Sequence, residues 1–170
     1  MILPYKGVHP KIHDSVFIAE GAQIIGDVEI GRESSIWFNT VIRGDVNTIR
    51  IGEQTNVQDQ CVLHVTYQKY PLVVGSRVTV GHGAILHAAT IKDYCMIGMG
   101  AIILDDAEID SYVIVAAGAL VLEHFKAPGG TLIAGIPARV KRDLTKEEHS
   151  MIETSAQRYI QYVSNYRETR

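Results

Sequence analysis

Three of the seven histidines in this 170-residue chain, His64, His82 and His87, stand close together along the sequence. Imidazole is a natural ligand for a divalent transition metal. Three imidazoles that converge and leave one coordination position open make a zinc site of the hydrolytic or hydration type. There the ion lowers the pKa of its bound water to about 7. Zinc(II) is the default ion for such a donor set, and Fe(II) or Co(II) would also suit it. Whether the three rings can converge depends on the elements that carry them.

Those elements are set by a period of six. Aliphatic residues recur at Ile18, Ile24, Ile30, Ile36 and Ile42, then at Ile51, Val57 and Leu63, then at Val74, Val80 and Leu86. A last run takes in Ile91, Ile97, Ile103, Ile109, Val115 and Val121. Four places on in most hexads comes a smaller residue, such as Ala22, Ser34, Thr40, Val46, Cys61, Ala84, Thr90, Cys95, Ala101 and Ala119. Six matches neither the helical period of 3.6 nor the strand period of 2, so the chain turns a corner once per hexad and buries the same two positions each time. That is the signature of a parallel β-helix. Three short faces close a coil of about eighteen residues, the next coil lies roughly 4.8 Å above it, and five to six coils are expected.

The repeat is broken twice. Three residues more than a hexad separate Ile42 from Ile51, and five more separate Leu63 from Val74. If both insertions are ejected at corners, the face count runs through them and Ile42, Leu63, Leu86, Ile103 and Val121 share a face. The residues that follow form an outward column of Arg43, His64, His87, Leu104 and Leu122. On the preceding face the outward column is Phe38, Asp59, His82 and Met99. His64 and His87 then lie one coil apart, close enough to share an ion. His82 lies too far round the shaft to join them within one chain. A threefold axis resolves this, because in a parallel homotrimer His82 of a neighbour faces the His64/His87 pair at each of three interfaces. Asp59, one coil below His82, is placed to accept its other ring N–H. Arg43 is placed to pair with Asp45 or Asp59, or to meet an anionic product. His9, His13, His124 and His149 fall outside the columns and are expected at the surface or near the termini.

A single domain, 1–170, is expected, with the β-helix over 12–140. After Val121 the period stops, and Gly135-Ile136-Pro137-Ala138-Arg139 leads the chain away. Thr145-Lys146-Glu147-Glu148 reads as a capping box for a helix over 145–168, with Met151, Ile152, Ala156, Tyr159, Ile160 and Val163 on its apolar face. A net charge of −3 and a pI near 6.1 argue against nucleic acid and anionic membranes as partners. No apolar run reaches membrane-spanning length, and no leader pattern opens the chain, so a soluble cytoplasmic protein is expected. Cys61 and Cys95 fall on inward positions and are expected in the core rather than in a disulfide framework.

Ile42-Arg43-Gly44-Asp45, Asn56-Val57-Gln58-Asp59-Gln60-Cys61-Val62-Leu63-His64 and Val80-Gly81-His82-Gly83-Ala84-Ile85-Leu86-His87 together resemble the γ-class carbonic anhydrase family, across nearly the whole chain. The resemblance implies the left-handed winding of the hexapeptide-repeat superfamily, and hence an all-β left-handed parallel β-helix with one C-terminal α-helix. It also implies His64, His82 and His87 as metal ligands, with the first and third from one protomer and the second from its neighbour. Arg43, Asp45 and Asp59 match a polar interface network, Gln58 a residue that orients the metal-bound water, and Tyr159 an active-site tyrosine. The implied reaction is reversible hydration of CO2 to bicarbonate by metal-bound hydroxide. One departure stands out: founding members carry a glutamate proton shuttle in an acidic loop, whereas residues 64 to 74 here contain no Asp or Glu.

Two other functions fit parts of the pattern. The Gly135–Arg139 segment is similar to the exit motif of hexapeptide acyltransferases, and a thioesterase could use the same metal chemistry. The simpler reading of that segment is that it ends the prism. A non-catalytic, metal-tied trimeric assembly protein is the third reading.

Overall fold

A computed structural model describes residues 1–168 and has the parallel β-helix that the hexads require. One face stacks Phe17–Ile18, Ser35–Ile36, Asn56–Val57, Thr79–Val80, Met96–Ile97, Ile114–Val115 and Thr131–Gly135 in parallel register. The next face carries Val62–His64, Ile85–His87, Ile102–Ile103 and Leu120–Val121 above the first part of Val41–Ile51. The third carries Leu72–Val74, Thr90–Ile91, Glu108–Ile109 and Lys126–Ala127 above its last part. Two long strands, Gln23–Ile30 and Val41–Ile51, run round the corner and join these two faces into one sheet.

The prism has about seven turns rather than five to six. Ile2–Leu3 pairs with Gln23–Ile30 below the first phased hexad, and Thr131–Gly135 stacks above the last. These end rungs cap the shaft and lack its full aliphatic pattern, so the period alone undercounts them.

Sixteen of the seventeen phased aliphatics are buried, and Ile18 at the end of the shaft is half-buried. Two expected inward positions are different in the structure. Val46 and Thr90 are only partly buried, and Ile49 and Ala89 take the places pointing inward. The reason is phase: the inward small position lies two residues before the next aliphatic, and an insertion before Ile51 or a five-residue step from Leu86 to Ile91 shifts it. Cys61 and Cys95 are free and buried, as expected.

Gly81 shows why a corner residue must be small. A Cβ there would meet Ile97 O and Met99 N of the next coil at 2.8 Å, closer than backbone can yield. The coil therefore turns tightly just before His82.

Gly135 to Ala138 forms a turn that sends Ala138–Asp143 back antiparallel to Thr131–Gly135, ending the prism. The helix Lys146–Glu168 follows. Its start is a reciprocal capping box: Thr145 N–H donates to Glu148 Oε2 at 2.9 Å, and Glu148 N–H donates to Thr145 Oγ1 at 3.2 Å. Ile152, Ala156 and Val163 are buried, but Met151 is exposed, so the apolar face is narrower than its spacing suggested. Val163 and Tyr159 join Phe17, Trp37 and Phe38 in a satellite cluster that fixes the helix to the first face.

Candidate functional site

His64 and His87 close the strands Val62–His64 and Ile85–His87, at directly paired positions. Leu63 and Leu86 before them are fully buried, so strand alternation turns both imidazoles outward. Their ring centroids are 5.2 Å apart, and His64 Nδ1 stands 3.1 Å from His87 Nε2.

The two ejected corner segments supply the surroundings. Asp45, in the bulge between Gly44 and Ile49, places Oδ1 3.1 Å from His64 Nε2. Arg43 is hydrogen-bonded to the other oxygen of Asp45. On the opposite side His87 Nδ1 lies 2.5 Å from Asp105 Oδ1, while Asp105 Oδ2 accepts a hydrogen bond from Thr66 Oγ1 in the second corner loop. Asn47 Nδ2 donates to Thr66 O, so the two corner segments brace each other.

Electrostatics follow from these contacts. Burial drives the Asp45 carboxyl upward, but hydrogen bonds from Arg43 and then His64 outweigh it and leave the pKa lowered. Asp105 behaves alike, with Thr66 and His87 outweighing burial. Burial lowers the pKa of His64, against the pull of Asp45. An ionised carboxylate only accepts, so the ring nitrogen facing it carries the proton. His64 is thereby assigned N–H at Nε2 and His87 N–H at Nδ1. The nitrogens left bare, His64 Nδ1 and His87 Nε2, face each other.

Two lone pairs at that distance repel unless a proton or cation lies between them. Two nitrogens bound tetrahedrally to zinc at about 2.0–2.1 Å stand ~3.3 Å apart. The donor set therefore fits a divalent ion such as zinc. The two rings supply two of the donors that a tetrahedral ion needs. Among the described residues no group of three His, Cys, Asp or Glu side chains is placed to hold a metal ion.

His82 belongs to a different corner. Its Nδ1 lies 2.6 Å from Asp59 Oδ2, leaving Nε2 for another partner. Its backbone N–H donates to Gln58 Oε1 at 3.2 Å, and Gln58 Nε2 donates to Asn56 Oδ1 at 3.2 Å. Both ends of the Gln58 amide are thus engaged, the oxygen by the turn that carries His82 and the nitrogen by Asn56 two residues back. Tyr159 sits edge-on to Trp37, with centroids 5.4 Å apart, and lines a cavity of about 220 Å³ with Asp59 and His82. Burial first, and then the charge of Asp59, push its phenol up to about 12. Tyr159 therefore keeps its proton at neutral pH.

Asp105 and Thr66 were not singled out from sequence. One signal was available: Asp105 comes 18 residues after His87 and directly follows Leu104, which lies one coil above His87 in the outward column. A different groove of about 780 Å³ crosses Ile12, Ile30, Ile51 and Val74, where Lys11, Arg32 and Arg50 are paired with Glu29, Glu53 and Asp27. It holds none of the residues just described.

Residues 9–44 and 88–123 match the family described as bacterial transferase hexapeptide (six repeats). A carbonic anhydrase of Geobacillus kaustophilus is 48% identical over 98% of this chain and 91% of its own length. Gamma carbonic anhydrase 1 of Arabidopsis thaliana, a mitochondrial protein, is 44% identical over 88% of this chain and 56% of its own. The chain belongs to the γ-class carbonic-anhydrase-like family. A solved Bacillus cereus structure named an acetyltransferase has a TM-score of 0.97 to it at 49% identity, covering 100% of this chain and 98% of that one. This γ-class-like fold therefore carries two kinds of name, and the side chains rather than the coil must choose between them. Relatives named carbonic anhydrase support an enzyme and, in general, a metal cofactor. Among the described residues no helix is long and apolar enough to cross a membrane.

Proposed function

We propose that this protein catalyses reversible hydration of CO2 to bicarbonate at a divalent metal ion shared between two copies of the chain. Zinc is the first choice of ion, and Fe(II) or Co(II) the alternatives. The observation that carries the reading is the facing pair of ring nitrogens, His64 Nδ1 and His87 Nε2 at 3.1 Å, each ring backed by a carboxylate. His64 and His87 of one protomer and His82 of the partner subunit would hold the ion. Its contribution when bound is a water of strongly lowered pKa, available as nucleophile near neutral pH.

The chain's own residues orient the site. Asp45 holds the His64 proton at Nε2, and Arg43 keeps Asp45 ionised. Asp59 holds His82 from Nδ1, leaving Nε2 to point away. Gln58 fixes the turn beneath it. Support for a homotrimer comes from the outward column Val41, Val62, Ile85, Ile102 and Leu120, which runs beside the histidines on the same strands. Val62 and Ile85 are 40% and 37% exposed, a strip of branched aliphatics suited to burial against a second copy.

Proton release has no carboxylate route through the Thr66–Pro71 loop, where Lys69 lies 4.7 Å from the Tyr70 ring. With no carboxylate in that loop and Tyr159 protonated, the routes left are external buffer, Tyr67 or a water chain, and turnover is expected to depend on buffer concentration.

The test is metal content per chain on anaerobically purified protein, paired with stopped-flow CO2 hydration after Zn(II) or Fe(II) loading in high and low buffer. Near one ion per chain with buffer-dependent hydration supports the reading. Metal without hydration rejects CO2 as substrate and turns attention to thioesters or to a structural metal. No metal under any condition rejects the site and favours acyl transfer, the chemistry named for the Bacillus cereus relative, or a metal-free assembly role.

A further inference from the structure

The carboxylate of Asp105 stands behind His87 and belongs to none of the motifs read from the sequence. It is half-buried, one coil above His87, and each oxygen has a separate partner: Oδ1 is 2.5 Å from His87 Nδ1, and Oδ2 accepts from the Thr66 hydroxyl. Thr66 also receives Asn47 Nδ2 at its carbonyl oxygen, and its N–H donates to Tyr70 O at 3.2 Å. The chain of contacts thus runs from His87 through Asp105 to the short corner loop and on to the bulge that carries Asp45.

We infer that Asp105 is a positioning residue for His87: with Thr66 holding it in place, it fixes the ring with N–H at Nδ1 and Nε2 bare, and so sets how tightly the His64/His87 pair binds a divalent ion. This rests on the metal reading above and deepens it. The geometry supports it in three ways. A carboxylate behind a ligating imidazole fixes its tautomer and raises its basicity, and losing one typically weakens metal binding about 10–100-fold. The arrangement mirrors that of Asp45 behind His64, so both rings of the pair are braced from opposite sides. Each carboxylate is itself held by a second donor, Arg43 on one side and Thr66 on the other. Asp105 is also anchored to the loop that lacks the family's acidic shuttle, so the loop here buttresses a ligand.

The experiment compares the wild type with Asp105→Ala, Asp105→Asn and Thr66→Val, each as the full chain. Zn(II) affinity is read by competition with a chromophoric chelator, and Co(II) spectra are recorded on the same proteins. Asp105→Ala is expected to weaken Zn(II) about 10–100-fold. Asp105→Asn keeps an acceptor and loses the charge, so its loss should be smaller. Thr66→Val should fall between wild type and Asp105→Ala. A second readout needs no metal: the His87 Nδ1–H signal in the 15N-resolved spectrum of the apo protein, expected in wild type and Asp105→Asn and lost in Asp105→Ala. If wild type binds Zn(II) and Asp105→Ala binds it equally well, the inference is overturned while the metal site stands. If wild type binds no ion, the metal reading fails and the affinity half of the inference falls with it. The apo signal then decides the tautomer half, which an unchanged spectrum in Asp105→Ala would also overturn.

Discussion

His64 and His87 occupy directly paired positions on adjacent coils, with Nδ1 of the first and Nε2 of the second 3.1 Å apart. The pairing is a consequence of core packing. Leu63 and Leu86 stack in the shaft with no exposed surface, and a slip of one residue in either strand would drive an imidazole inward and a leucine into water. The apolar interior thereby fixes the spacing of two polar groups on the outside.

Removing one ring should therefore remove the ion and spare the fold. His87→Ala is expected to drop bound metal from about one ion per chain to a small fraction of that, measured by inductively coupled plasma analysis. Because His87 is partly exposed, unfolding of the metal-free protein in urea should change by less than about 1 kcal/mol. Full metal retention would count against the ligand assignment.

The exposed aliphatic strip should report on assembly. Ile85→Asp places a carboxylate in the middle of Val41, Val62, Ile102 and Leu120, where burial against a second copy would leave it unpaired. Light scattering after size exclusion is expected to show monomers in place of trimers. Metal content should fall as well, although His64, His82 and His87 are untouched, because His82 comes from the partner subunit in this reading. A trimeric Ile85→Asp variant would place the interface elsewhere.

The hexads made the three faces and both histidine columns legible, because Ile36, Val57, Val80, Ile42, Leu63 and Leu86 are dictated by a single buried shaft. The contact of His82 Nδ1 with Asp59 followed from the same count. Legibility stopped where the period did. Val46 and Thr90 were placed inward by adding four to the last aliphatic, but insertions and a short step pass those places to Ile49 and Ala89. Asp105 was missed for a related reason: its partner Thr66 lies 39 residues away in an ejected loop whose path no repeat encodes. Met151 has helical spacing, yet the docking surface built by Phe17 and Trp37 meets the helix nearer Tyr159 and Val163, and leaves Met151 in solvent.

The two thiols should be silent in the native protein. Burial pushes Cys61 up to about 11 and Cys95 up to about 12, so neither forms appreciable thiolate at neutral pH. Both fill inward positions of the shaft, which also blocks access. Treatment with a disulfide reagent at pH 7.5 is expected to release no chromophore from folded protein and two equivalents per chain in denaturant. Rapid labelling of the native state at either thiol would mean that the shaft opens locally.

Acid should loosen the terminal helix first through Glu148. Hydrogen bonds from Arg142, then from the Thr145 backbone N–H, hold its carboxyl at about 2 against an ordinary 4.5. The folded pKa is the depressed one, so the unfolded chain binds the proton more readily. The stabilisation is complete above about pH 4.5 and is lost as pH falls towards 2. Glu148→Gln should be less stable than wild type at pH 6, and the gap between their thermal midpoints should close progressively between pH 4.5 and 2. Since Glu148 is only partly buried, salt should shrink the gap at pH 6 as well. A gap that stays constant from pH 6 to 2 would show that the carboxylate charge contributes nothing, and that the capping hydrogen bonds alone hold the first turn.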